Sequence, residues 1–248
     1  MFILLPPSET KRLGGIAGST LDLPALSFPE LTSARKQTLA AVKVLSRNLA
    51  AAAAMLRLGP ASASEAGRNR TLTSSPVMPA IDRYDGVLFE ELDAASLPAQ
   101  ARQFAAEHVA IGSALFGLSG ALDPIPAYRL SHDSRLPGTT VGRIWRTPLS
   151  TAVAGIPGLL LDLRSEGYAH LGPIPNRPDA VYLRVVSEDG AGRTRALNHF
   201  NKKGKGAFTR ALLLAGIDHP DVDSLLEWAR NSGIHLEPGV PGELDLFA

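Results

Sequence analysis

The sequence predicts an α/β to α+β fold, a single compact domain in which helices flank a mixed sheet. Three observations carry that expectation. Continuous apolar runs at 2–5, 108–117 and 158–163 have the length of buried strands. Segments at 32–58, 98–108 and 220–233 carry helical spacing or helix start and stop signals. The two kinds of segment mix without a regular βαβ rhythm or an internal repeat, and 248 residues suffice for one large core.

Taken in order, the run Phe2 to Leu5 is a strand stopped abruptly by Pro6 and Pro7. Ser8, Glu9, Thr10, Lys11 and Arg12 then stand at its C-terminal end, a common ligand position in sheet proteins. The glycines at 14–18 have neither dinucleotide-binding nor Walker spacing and support no nucleotide motif. Thr32 or Ser33 is placed to cap a long helix reaching about Leu58, with Leu39, Val42, Leu45, Leu49, Ala52 and Leu56 as its apolar stripe. Its alanine run at 50–54 reads as a close-packing surface, and Gly59-Pro60 stops it. Residues 59–76 form a polar loop, expected to be the least ordered part, with Arg68 and Arg70 solvated. A turn at Tyr84 opens a short helix to Leu92, and 98–108 is a further helix. The strand at 108–117 runs into a glycine-bounded turn, and prolines stiffen an extended segment at 123–130. Residues 141–153 read as helix with Pro148 as an interruption. The strand at 158–163 leads into Arg164-Ser165-Glu166-Gly167-Tyr168. Strands at 180–186 and 194–197 pair, a helix runs from Asp221 past Trp228 to Gly233, and short strands at 234–236 and 244–247 close the chain.

Composition narrows the function classes. Hydrophobic content of 45% with 20% charged residues is that of a soluble globular protein. A formal charge of +1 is too small for a general DNA-coating protein, so affinity for nucleic acid must come from local asymmetry. With no cysteine, disulfides, thiolate zinc sites, cysteine-bound iron–sulfur clusters and thiol peroxide chemistry are excluded. The six histidines show no HxH, HxxxH or ExxH spacing, so no metal site and no cofactor are expected. No G-x-S-x-G elbow marks a nucleophilic serine. The N-terminal apolar run is too short for a signal peptide and no run approaches the roughly 20 apolar residues of a membrane span, so a cytoplasmic protein is expected.

Charge concentrates at 193–215, where Arg193, Arg195, Lys202, Lys203, Lys205 and Arg210 occur without a carboxylate. Read as a helix from about Phe200, the segment divides into two faces. Phe200, Ala207, Phe208, Ala211, Leu212 and Ala215 share the arc expected to be buried; Lys202, Lys203, Lys205, Thr209 and Arg210 share the other, with Leu213 as an apolar intruder. Gly204 and Gly206 either mark a helix start near Gly206 or let something approach the backbone closely. A glycine-flanked helix end beside four cations suits an anion such as phosphate, against the plainer reading of a solvated basic face. The acidic segment that follows, with Asp218, Asp221, Asp223, Glu227, Glu237, Glu243 and Asp245, either polarises the surface or neutralises its neighbour.

A second set of polar residues falls at strand ends: Ser8, Glu9 and Lys11, then Arg164, Ser165, Glu166 and Tyr168, then Asn198 and His199. If those strands are neighbours, the residues converge on a cleft for a small phosphorylated or nucleobase-containing ligand, with Tyr84, Tyr128 and Arg129 as further lining. The ordinary alternative holds for each singly, since strand-end Ser and Asn cap turns and buried Tyr and Arg satisfy carbonyls. The sequence gives no oligomeric state.

Four ordered patches resemble the YaaA family of bacterial peroxide-stress proteins. They are LLPPSETK at 4–11, YDGVLFEELD at 84–93, SALFGLSGALDPIPAYRL at 113–130 and LNHFNKKGKGAFTRALL at 197–213, with RSEGY at 164–168 as a weaker fifth. Lys202, Lys203, Lys205 and Gly206 match the family's K-K-x-K/R-G run. Departures are local: Phe116 stands where the family commonly has tyrosine, Glu9 where many members have lysine, and Ser165-Glu166-Gly167-Tyr168 replaces S-x-E-Y. The resemblance implies a cytosolic protein of oxidative-stress defence that helps keep free iron low. It also implies non-specific binding of double-stranded DNA in a positive cleft and a compact mixed fold with a helix-hairpin-helix-like element. Here Gly204-Lys205-Gly206 and Ala211 stand one residue off that element's usual G-x-G-x-x-x-A spacing.

Overall fold

The computed structural model describes residues 1–188, 194–196 and 200–247, without the side chains of 60–64, 188, 194–196 and 200. Its first strand, β1 (Phe2–Leu5), takes the centre of the sheet because Ile3, Leu4 and Leu5 are apolar on both faces and fully buried. Helices α1 (Thr32–Leu45) and α2 (Leu49–Met55) follow, then β2 (Val77–Pro79), α3 (Ala80–Arg83), α4 (Val87–Leu92) and α5 (Ala99–His108). Strands β3 (Val109–Ser113), β4 (Gly117–Gly120) and β5 (Pro124–Pro126) come next, with the small pair β6 (Arg135–Leu136) and β7 (Thr139–Thr140). After α6 (Val141–Ala154) the chain returns to the sheet as β8 (Leu160–Asp162), turns through α7 (Glu166–Ala169), and continues as β9 (Ala180–Glu188) and β10 (Thr194–Ala196). Helices α8 (Phe200–Ala215) and α9 (Val222–Asn231) and strands β11 (Leu236–Pro238) and β12 (Glu243–Phe247) complete it.

The main sheet has the order β11-β12-β9-β8-β1-β3-β4, with β10 also paired to β9. Its five inner strands, β12, β9, β8, β1 and β3, run parallel; β11, β4 and β10 are antiparallel additions. The chain therefore moves outward from β1 on one side and from β8 on the other. In parallel sheets such a switch point leaves a crevice at the strands' C-terminal ends. The result is one mixed α/β domain with helices flanking the sheet, as the apolar runs predict.

Several local expectations differ. The helix expected over 32–58 is two helices. Ser46 Oγ folds back onto the Val42 carbonyl at 2.7 Å, and Asn48 starts a new helix by accepting from the Ala51 N–H at 3.1 Å. In the alanine run only Ala52 is buried, so it is no packing surface, and Leu49 is exposed. The polar loop holds a 3₁₀ run, Pro60–Thr71, whose C-terminal end is clamped: Asn69 exchanges two hydrogen bonds with the Arg129 backbone, and Arg70 Nε donates to the Ser46 carbonyl at 2.8 Å. Helix α6 continues through Pro148, which leaves the Ile144 carbonyl without its helical donor.

Helix α8 differs most. Lys205, Gly206, Phe208, Thr209, Leu212 and Leu213 are buried, whereas Ala207 and Ala215 are exposed. The buried arc is thus rotated from the one expected. A Cβ at Gly206 would run into the Leu88 carbonyl and the Glu91 side chain, so this glycine lets α4 cross α8 closely. Gly204, Lys205 and Gly206 lie inside α8, not in a hairpin between two helices.

Candidate functional site

A cleft of about 740 Å³ opens at the switch point between β1 and β8. Pro6-Pro7-Ser8-Glu9-Thr10 leads out of β1 along one side, and Leu163, Ser165, Glu166, Gly167 and Tyr168 follow β8 on another. Tyr182 and Arg184 reach it from β9, and Asn201, Lys202 and Lys205 from the first turns of α8. Residues 86–89 at the start of α4 and His132 complete the wall. Gly167 is needed here because the His132 ring lies where a Cβ would go, and that ring meets Tyr168 edge-on at 5.0 Å.

The feature that stands out chemically is Lys205. It is 3% exposed, on a wall of the cleft, with its Nζ 5.0 Å from the centre of the Tyr182 ring. Among the described residues no carboxylate lies within ion-pair distance of it. Burial pushes its pKa down to about 8, opposed by the fields of Asp162 and Glu166 and reinforced by Arg184. Arg184 grips Glu243 through two bonds of 2.6 and 2.7 Å and reaches Glu166 at 3.5 Å, which holds its proton firmly and keeps the Glu243 carboxyl below its ordinary range. Burial, then Asp162 and Glu166, push the Tyr182 phenol up to about 12. Burial raises Tyr168 further, so both phenols are donors at neutral pH. The cleft therefore offers an ammonium on its wall, a more exposed lysine, the Arg184 guanidinium and neutral hydroxyls; Glu9 and Glu166 also line it, so an anion is suited to the side formed by Lys202 and Lys205.

Of the strand-end residues singled out in the sequence, Ser8, Glu9, Ser165, Glu166 and Tyr168 line the cleft. Lys11, Tyr84, Tyr128 and Arg129 do not; the first three are buried together behind Glu9, with the half-buried Arg129 beside them. The two tyrosine hydroxyls hydrogen-bond at 2.8 Å, Lys11 Nζ sits 4.1 Å from the Tyr128 ring centre, and Arg129 lies 3.3 Å from Glu9 and 3.2 Å from Glu65. Lys11 is 4% exposed, and burial, partly offset by Glu9, lowers its pKa to about 7. Arg164 is also not a cleft residue. It is fully buried, gripping Asp162 at 2.7 and 2.8 Å and donating to the Gly172 carbonyl, the ordinary structural role. Asn198, His199 and Arg193 lie outside the described residues, and of Arg195 only the backbone, in β10, is described.

The basic set is likewise divided. Lys202 and Lys205 face the cleft, Lys203 pairs with Glu91 at 3.4 Å, and Gly206 packs against α4. Arg210 donates to the Leu92 and Asp93 carbonyls and to Ser96 Oγ, closing the C-terminal end of α4. Sequence reasoning passed over Tyr182, Arg184, Asn201 and His132. For the first two a signal existed, because they alternate with the buried Val181, Leu183 and Val185 along β9. Among the described residues no group of three or more His, Asp or Glu is arranged to hold a metal ion.

A model of the family described as "Peroxide stress protein YaaA" matches residues 1–235. A UPF0246 protein of Corynebacterium glutamicum (strain R) is 42% identical over 243 residues, which cover 96% of this chain and 95% of that protein. One from Corynebacterium efficiens is also 42% identical over 243 residues, with the same coverage. A UPF0246 protein of Streptomyces coelicolor is 35% identical over 247 residues, 98% of this chain and 94% of its own.

Proposed function

The chain belongs to the peroxide stress protein YaaA family, and from that premise we propose that it acts in the response to peroxide by binding a small phosphorylated or otherwise anionic molecule in the cleft between β1, β8 and α8. The observation that carries this is Lys205, a lysine buried on the cleft wall with Lys202 beside it and the β1 and β8 ends opposite. A buried ammonium is unfavourable unless something compensates its charge, and an anion in the cleft would do so. The experiment is a thermal-shift series on the full chain with inorganic phosphate, pyrophosphate and nucleotides. A ligand at 100 times its Kd stabilises by about 2.7 kcal/mol, which moves the melting temperature measurably. The reading fails if none of these anions shifts the parent, or if Lys205→Gln is shifted as much as the parent.

A second reading is non-specific binding of double-stranded DNA that limits damage linked to free iron. It is favoured by Lys202 and Lys203, adjacent and exposed on the first turn of α8. Of the other two cations expected on this face, Lys205 faces the cleft and Arg210 is engaged with α4, so few phosphates are met. A cytoplasmic site of action belongs to both readings; no helix among the described residues is long and apolar enough to cross a membrane.

A further inference from the structure

Lys205 has properties that anion binding alone does not require. A lysine that only attracts anions works as well, and at less cost to folding, on the surface, as Lys202 does. Lys205 instead lies deep in the wall of a cleft large enough for a small metabolite, on a helix fixed by the close crossing at Gly206. Its aliphatic stem is buried, its nitrogen lies over the Tyr182 ring, and the residue lines the cleft. The charged groups that act on it are Asp162 at the end of β8, Arg184 in β9 and Glu166 in α7; Lys202, on its own helix, lines the same cleft.

We propose that Lys205 is an amine nucleophile that captures the carbonyl carbon of a small aldehyde carrying a phosphate or carboxylate, the anionic group resting near Lys202. The inference rests on the anionic-ligand reading of the cleft and names the substrate class. Desolvation and a neighbouring cation are the two ways a protein leaves a lysine unprotonated near neutral pH, and both act here. The neutral amine adds its lone pair to the carbonyl carbon, forming a C–N bond, while the carbonyl oxygen takes a proton to give a carbinolamine. Loss of that hydroxyl with the remaining nitrogen proton releases water and leaves an imine, with no oxidation or reduction. Solvent reaching the open cleft takes and returns the proton, and Glu166 acts on Lys205 only through its field.

Pyridoxal phosphate serves as the probe, an aldehyde that carries a phosphate. The full chain is incubated with it, reduced with borohydride and mapped by mass spectrometry, with pyrophosphate-induced melting shifts measured in parallel. The label is expected predominantly on Lys205, to be suppressed by excess pyrophosphate, and to form about fivefold faster at pH 8 than at pH 7 as the neutral fraction grows. Lys205→Arg keeps the charge and is expected to retain the pyrophosphate shift while losing the label. Label spread over surface lysines, or none on Lys205 while pyrophosphate still shifts the parent, overturns the nucleophile and leaves the anion site standing. No label and no shift removes both. Mapping of the parent decides the question even if Lys205→Arg does not fold.

Discussion

Lys205 carries its proton at some expense to folding, and the expense has a pH signature. Its folded pKa is about 8 against an unfolded value of 10.5. Below about pH 8 both states hold the proton, and the native state bears the full penalty of a buried charge. Between there and 10.5 the unfolded state binds more protons, so stability rises with pH through that window. The penalty corresponds to about 3 kcal/mol. Lys205→Met is therefore expected to be more stable than the parent at pH 7, by up to that amount, while its response to anions weakens. The advantage shrinks as pH rises to 10.5. Urea denaturation of both proteins across this range checks it; an advantage independent of pH would place its origin in packing rather than in charge. Lys11 follows the same rule with a window opening near pH 7. Being buried against Tyr128 and not exposed, it cannot be truncated to alanine without a loss of stability.

At the scale of elements, the crossing of α4 and α8 holds one side of the cleft. Gly206→Ala puts a methyl group against the Leu88 backbone, which no rotamer change relieves, and overpacking of this kind costs about 1–3 kcal/mol. The same change tilts the turn bearing Lys205, so denaturation and pyrophosphate binding are expected to weaken together. Retention of both would show that α4 yields freely. Phe208, 3% exposed and packed near Trp228, anchors the helix below the cleft, and Phe208→Ala is expected to destabilise by about 3–5 kcal/mol in the same denaturation assay. Sequence alone separated the helix from its neighbours and placed Phe208 and Leu212 in the core, but set the buried arc too far round the helix. The reason lies in two residues that look polar: Lys205 is buried despite its charge, and Thr209 turns its hydroxyl back to the Lys205 carbonyl at 2.7 Å and so needs no solvent. What Gly206 is for was not legible, because the backbone it admits lies far away in the chain. The buried Arg35 shows the same limit: besides the nearby Ser27 carbonyl, its acceptors are the Phe116 and Leu118 carbonyls, more than eighty residues distant.

For the whole molecule, the strands were legible because runs such as 2–5 and 158–163 have no polar face to hide. Their adjacency was not, since sequence order does not say that β8 returns to lie beside β1. That adjacency makes neighbours of Ser8 and Tyr168, and the sequence supplied it only as a condition. Global charge adds a further expectation. With Lys205 and Arg210 committed elsewhere, non-specific DNA contact through Lys202 and Lys203 meets about two phosphates, and the log–log salt slope is expected to be no steeper than about −2. Fluorescence anisotropy against salt measures it, and a much steeper slope would put a DNA surface elsewhere on the chain. Whether the cleft at the sheet's switch point holds an anion through Lys205 is decided by calorimetric titration of pyrophosphate into three proteins at pH 7: the parent, Lys205→Gln, and Lys203→Gln as a control on the same helix outside the cleft. A hydrogen bond to a charged group contributes about 1.5–3 kcal/mol, so Lys205→Gln should weaken binding roughly tenfold to a hundredfold while Lys203→Gln leaves it unchanged. Equal affinity in all three, or equal loss in both variants, would contradict the account.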